Sequence, residues 1–170
     1  MSGTRLPKLI FLALVLIALA QAGYNFPLLP DRLASHFNAS GIPNGWMSKP
    51  TFFAVYAAMI LIAAALEFLA PLSITRTPNP RLNLPHKGYW LAPVRRGETF
   101  AYFEKFFGWY GCAVLLLEIL AMGLAIQANF SSPPQLPTAP IVALLVSFFL
   151  GTMLGVALMF RRFSRVPNSY

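Results

Sequence analysis

Residues Phe52–Leu72 read FFAVYAAMILIAAALEFLAPL, with Glu67 as the one charged side chain. A run of this length matches the roughly 20 residues that an α-helix needs to cross a hydrocarbon core about 30 Å thick. Three more stretches qualify: Leu9–Phe26, Phe106–Ala128 and Ile141–Phe160. Four such runs in 170 residues leave little chain for a soluble domain. The composition agrees, with 57% hydrophobic residues, 11% charged residues and a mean hydropathy of +0.62. The chain therefore reads as an all-α integral membrane protein with four transmembrane helices.

Cations set the expected orientation. Arg5 and Lys8 precede the first run. Arg76, Arg81, Lys87, Arg95, Arg96 and Lys105 lie between the second and third, and Arg161, Arg162 and Arg165 follow the fourth. Eleven of the thirteen basic residues thus fall on one predicted side, and only Arg32 and Lys49 on the other. Basic loops stay in the cytoplasm, so both termini are expected inside, in a bacterial cytoplasmic membrane. The net charge of +8 is explained by helix-end cations facing anionic lipid, and no nucleic-acid partner is expected. Arg5, Lys8, the first apolar run and the small residues of Ala18–Ala22 also fit a cleavable signal peptide. Apolar and weakly polar residues continuing to Phe26 favour a retained helix.

Three parts follow. Residues 1–72 hold two helices and an outer loop of about 25 residues, Pro27–Thr51. Pro30-Asp31 is expected to open a helical turn and Pro43-Asn44-Gly45 to form a tight turn, the whole loop making a short ordered cap. Residues 73–105 form a basic, aromatic cytoplasmic loop. There Tyr89 and Trp90 suit the head-group level, and Pro93–Phe107 reads as an interfacial helical segment leading into the third span. Residues 106–170 form a helical hairpin with a basic tail. Ser147, Gly151 and Gly155 recur every four residues on its last helix, a small-residue ladder suited to close packing within the monomer or to homodimerisation.

Chemistry-bearing residues are few. Glu67 and Glu118 are acids inside apolar runs, where a carboxylate is costly. Glu67 is expected to snorkel toward Arg76 and the basic loop. Glu118 is expected to be neutral and hydrogen-bonded to a neighbouring helix, with proton movement as the functional alternative. His36 and His86 fall on opposite predicted sides and share no metal. Asp31 and His36 are close enough in sequence to touch, but two ligands make no metal site. Cys112 is the single cysteine and reads as a small core residue. No nucleophile motif, phosphate loop or zinc spacing is present, so no catalytic residue, metal or cofactor is expected.

The outer loop carries a dense pattern. Leu29-Pro30-Asp31, then His36-Phe37-Asn38, Gly41, Pro43, Gly45-Trp46 and Ser48-Lys49 resemble the outer loop of the N-terminal membrane domain of SdpI-like proteins. Asn44 stands where that pattern usually has an acid. The stretch Asn83–Arg96 also resembles a cytoplasmic segment of short proteins with this domain. The resemblance implies a non-enzymatic membrane protein that binds a peptide or protein partner, with immunity to a toxic peptide and signalling as the family's founding role. Candidate contacts are Asp31, His36, Asn38, Trp46 and Lys49 outside, and Tyr89, Trp90, Arg95 and Arg96 inside. An accessory subunit of a larger membrane complex and a small proton-coupled transporter using Glu118 are the alternatives.

Overall fold

A computed structural model describes residues 5–166. Helix α1 (Arg5–Asn25) leads to two strands, β1 (Arg32–Phe37) and β2 (Pro43–Ser48). The second span follows as one continuous helical rod: α2 (Lys49–Ala64), a π-helical turn at Ala65–Leu69, and α3 (Ala70–Arg76). A short helix α4 (Lys87–Trp90) precedes α5 (Pro93–Asn129) and α6 (Thr138–Phe163). Four rods are long and apolar enough to cross a membrane: Arg5–Asn25, Lys49–Arg76, Pro93–Asn129 and Thr138–Phe163. They alternate in direction, so one end of the molecule carries the β-strands and the other carries most of the basic residues.

The packed core has three helices. Phe11 and Ala18 of α1, Tyr56, Ile60 and Ala63 of α2, and Cys112, Leu115 and Ile119 of α5 form one buried cluster. Their spacings of three, four and seven put them on single helix faces, and the opposite faces are left for lipid. Gln21 ties the three rods together. The Tyr56 hydroxyl donates to Gln21 Oε1 at 2.8 Å, and Gln21 Nε2 donates to the Ile119 carbonyl at 3.2 Å. Three of the four long helices thus pack together, and α6 is laid along α5, where only Phe163 of α6 is buried. Phe163 closes an aromatic cluster with Trp90, Tyr102 and Phe103. Trp90 Nε1 donates to the Phe163 carbonyl at 3.0 Å, which fastens the end of α6.

Helix α5 has 37 residues, a length of about 55 Å. It exceeds the hydrocarbon core and projects beyond it. Pro93–Phe107 forms the first turns of this rod, continuous with the third span as expected. The π-turn in the second span has a local cause. Pro71 has no N–H for the Glu67 carbonyl and its ring crowds that turn, so the ladder widens and Ala70 N–H bonds Ala65 O instead.

Candidate functional site

The loop between the first two spans is a β-hairpin, which corrects the expected helical turn and moves the chain reversal. Arg32 pairs with Ser48, Leu33 with Met47, Ala34 with Trp46, His36 with Gly45 and Phe37 with Pro43. The turn is Asn38–Ile42, whereas Pro43-Asn44-Gly45 lies in β2. Asn38 makes the reversal: its Oδ1 accepts from Ser40 N–H and Ile42 N–H, both at 3.0 Å. Gly41 takes φ +76°, which only glycine adopts readily. Ser48 then ends the hairpin and begins α2, accepting from Thr51 N–H as an N-cap ahead of Pro50.

Four anchors fix the hairpin to the helix ends. Leu33, with Leu29, Phe52 and Ile126, forms a second buried cluster beneath it. Asn129 reads the backbone of Ala34, its Oδ1 accepting from Ala34 N–H at 2.8 Å and its Nδ2 donating to Ala34 O at 2.9 Å. Lys49 Nζ donates to Leu29 O at 2.8 Å and lies 3.4 Å from the Asp31 carboxylate and 5.2 Å from the Phe26 ring centroid. Leu136 N–H donates to Gly41 O at 2.9 Å, joining the turn to the loop between α5 and α6.

The remaining surface is presented outward. Arg32, His36, Asn44, Trp46 and Ser48 are all exposed, and Trp46 retains 45% of its surface. The hairpin also has an open edge. Both backbone groups of Ala34 point away from β2 toward Asn129, so Ala34–Trp46 is a pair that exchanges no ladder bonds. Its partner's N–H and C=O must then point outward on the far side of β2. Trp46 thus offers an indole and two backbone groups at one place.

The expected contact residues divide accordingly. Asp31, His36 and Trp46 are accessible. Asp31 and His36 do not touch, since Asp31 faces Lys49 and His36 Nδ1 lies 3.1 Å from Ser35 Oγ. Asn38 and Lys49 build the hairpin. At the basic end, Trp90 is 6% exposed and holds α6. Arg95 stacks on Tyr89 at 3.9 Å, and these two remain half-buried. Arg96 stacks on Phe100 at 4.3 Å and bonds Asn79 Oδ1 and the Thr75 carbonyl, closing the end of α3.

Of the two intramembrane acids, Glu67 departs from expectation. Glu67 is 2% exposed and does not reach Arg76. The π-turn directs it at α5, where ideal Cβ atoms on Gly108 and Gly111 would lie 3.5 Å from Oε1 and 3.1 Å from Oε2. A cavity of about 300 Å³ beside it is lined by Lys8 and Glu104, which pair with each other at 2.8 Å. Neither Glu67 oxygen has a hydrogen-bond partner among the described residues. Glu118 is buried too, and its Oε2 lacks a hydrogen-bond partner among the described residues. Among the described residues no three acidic, histidine or cysteine side chains gather as metal ligands.

Gln21, Gly108 and Gly111 were not singled out by the sequence, and Asn129 not as an anchor of the hairpin. Only the two glycines carried a signal, a spacing of three on the third span.

A family model described as a domain of unknown function (DUF1648) matches residues 12–61. The match takes in most of α1, the whole hairpin and most of α2. No curated protein and no solved structure matches the chain.

Proposed function

We propose that the chain is a non-enzymatic, multi-pass protein of a bacterial cytoplasmic membrane that binds an extended peptide segment on its hairpin. The cation distribution supports an orientation with the basic end in the cytoplasm and the hairpin outside. One observation carries the reading: the hairpin is anchored at Leu33, Ala34, Gly41 and Lys49, yet the Trp46 indole and the outer edge of β2 are left open. A surface held rigid before binding avoids much of the ordering cost of association. An open strand edge supplies main-chain bonds to an added peptide strand, and an exposed tryptophan supplies a binding anchor. A secreted peptide is the partner class implied by the resemblance of residues 29–49 to the SdpI-like outer loop. Immunity to such a peptide, with signalling to the cytoplasm, is the corresponding role.

Photocrosslinking in living cells tests this. A benzophenone side chain replaces Trp46, His36 or, as a lipid-facing control, Val142. A discrete peptide or protein adduct at 46 and 36, missing at 142, supports the reading. Lipid adducts alone at all three positions reject it.

A further inference from the structure

Helix α6 runs beside α5. A groove of about 640 Å³ lies between them, with Ser147, Gly151 and Gly155 on one wall and Phe106, Trp109 and Tyr110 on the other. A Cβ placed on Gly151 would meet nothing within 4 Å, and one on Gly155 would meet only the Phe106 ring, at 3.6 Å. The aromatic rings of α5 hold the small-residue ladder open instead of closing on it, as between Tyr110 and Phe148, whose ring centroids lie 6.1 Å apart. At the basic end the same groove is bordered by Lys105 and Arg162. Arg162 is paired with Glu98 at 2.6 Å and sits 4.7 Å from the Tyr102 ring centroid. Lys105 is exposed and makes no ion pair among the described residues.

We propose that this groove seats one anionic phospholipid, its phosphate against Lys105 and Arg162 and one acyl chain along Gly155 and Gly151.

Two features select this occupant. The first is length. Gly155 and Gly151 lie seven and eleven residues from Arg162, about 10 and 16 Å along the helix, within half of a ~30 Å hydrocarbon core, and the lining continues to Ser147 at about 22 Å. A groove that starts at a cationic rim and runs this deep along the helix accommodates one acyl chain below a head group. The second is charge. A second copy packed parallel through the same ladder would bring Arg161, Arg162 and Lys105 of both copies together at one level. Glu98 is the acid bonded there, and the like charges would oppose the pairing. A phosphate at that level complements them.

The test uses the full chain, purified in neutral detergent and titrated with phosphatidylglycerol or phosphatidylcholine under native mass spectrometry. Phosphatidylglycerol is expected to be retained preferentially. Lys105→Gln should weaken that retention about fivefold, the contribution of one basic residue near anionic lipid, whereas Lys105→Arg should keep it. Gly151→Leu should fill the groove and remove the preference while size-exclusion behaviour and helical content stay normal. Equal retention of both lipids, or no effect of Lys105→Gln, overturns the proposal. So does efficient disulfide trapping of two copies through Gly151→Cys in the membrane, which would give the groove to a second chain.

Discussion

The side chain of Asn129, in the last turn of α5, pairs with the backbone of Ala34 as a neighbouring strand would. One amide satisfies both backbone groups on the inner edge of the hairpin, and a third bond from Asn129 Nδ2 to Ala125 O fixes its rotamer. The long rod of the third span and the hairpin are thereby a single rigid unit.

Removal of that amide should loosen the hairpin without unfolding the helices. Asn129→Ala leaves two buried backbone groups unpaired, at about 1–3 kcal/mol for such a loss. Amide exchange at Ala34, followed by hydrogen–deuterium exchange, should then speed up roughly ten- to hundredfold. Asn129→Asp keeps the acceptor for Ala34 N–H and should fall between. Unchanged exchange in the alanine variant would show that the anchor is not structural.

Gly41 should tolerate no side chain. Its φ of +76° already strains any L-residue, and a Cβ would lie 2.2 Å from the Leu136 carbonyl oxygen. Gly41→Ala should break the bond between the turn and the following loop. Limited proteolysis between residues 38 and 42 should become faster, with the melting temperature lowered. Wild-type resistance would contradict the contact.

Two tryptophans should separate recognition from stability. Trp90→Ala removes a buried ring and the donor that holds Phe163, a loss on the order of 3 kcal/mol. Trp46→Ala removes a half-exposed ring and should leave the unfolding free energy within about 0.5 kcal/mol of wild type. Partner crosslinking through position 36 should vanish in the Trp46 variant. Loss of stability in that variant would assign Trp46 to packing instead.

Glu67 makes an unusual prediction. Both its oxygens are buried against Gly108 and Gly111 without hydrogen-bond partners among the described residues. An apolar side chain of similar length removes an unsatisfied group, so Glu67→Met should stabilise the protein by about 1–3 kcal/mol. Thermal unfolding in detergent measures this. A destabilised methionine variant would mean that the carboxyl engages a group essential to the fold.

The four spans were legible because length and apolarity decide a membrane helix with little help from context. The hairpin was not, since its strands are six residues each and the register slips on either side of the His36–Gly45 pair, at Ser35 and at Asn44, which blurs the two-residue alternation. Pro43-Asn44-Gly45 looks like a turn locally, but Asn38 and Gly41 already complete one five residues earlier. A residue with a capping side chain, followed three positions later by glycine, was the overlooked signal. Glu67 was misplaced for a different reason. Snorkelling is read from distance along a regular helix, and the π-turn ahead of Pro71 rotates this side chain inward. That the fourth helix stands off the core depends on where the aromatic rings of α5 point, which periodicity does not give.

The central claim is a hairpin displayed on the outer face of a four-span membrane protein, and cysteine labelling in intact cells tests it most directly. The native Cys112 is buried, so introduced thiols can be read against it. The predicted result is that Asn44→Cys reacts with an impermeant maleimide in intact cells, while Pro80→Cys reacts only after permeabilisation. Reaction at position 80 with protection at position 44 would contradict the layout and the recognition role together.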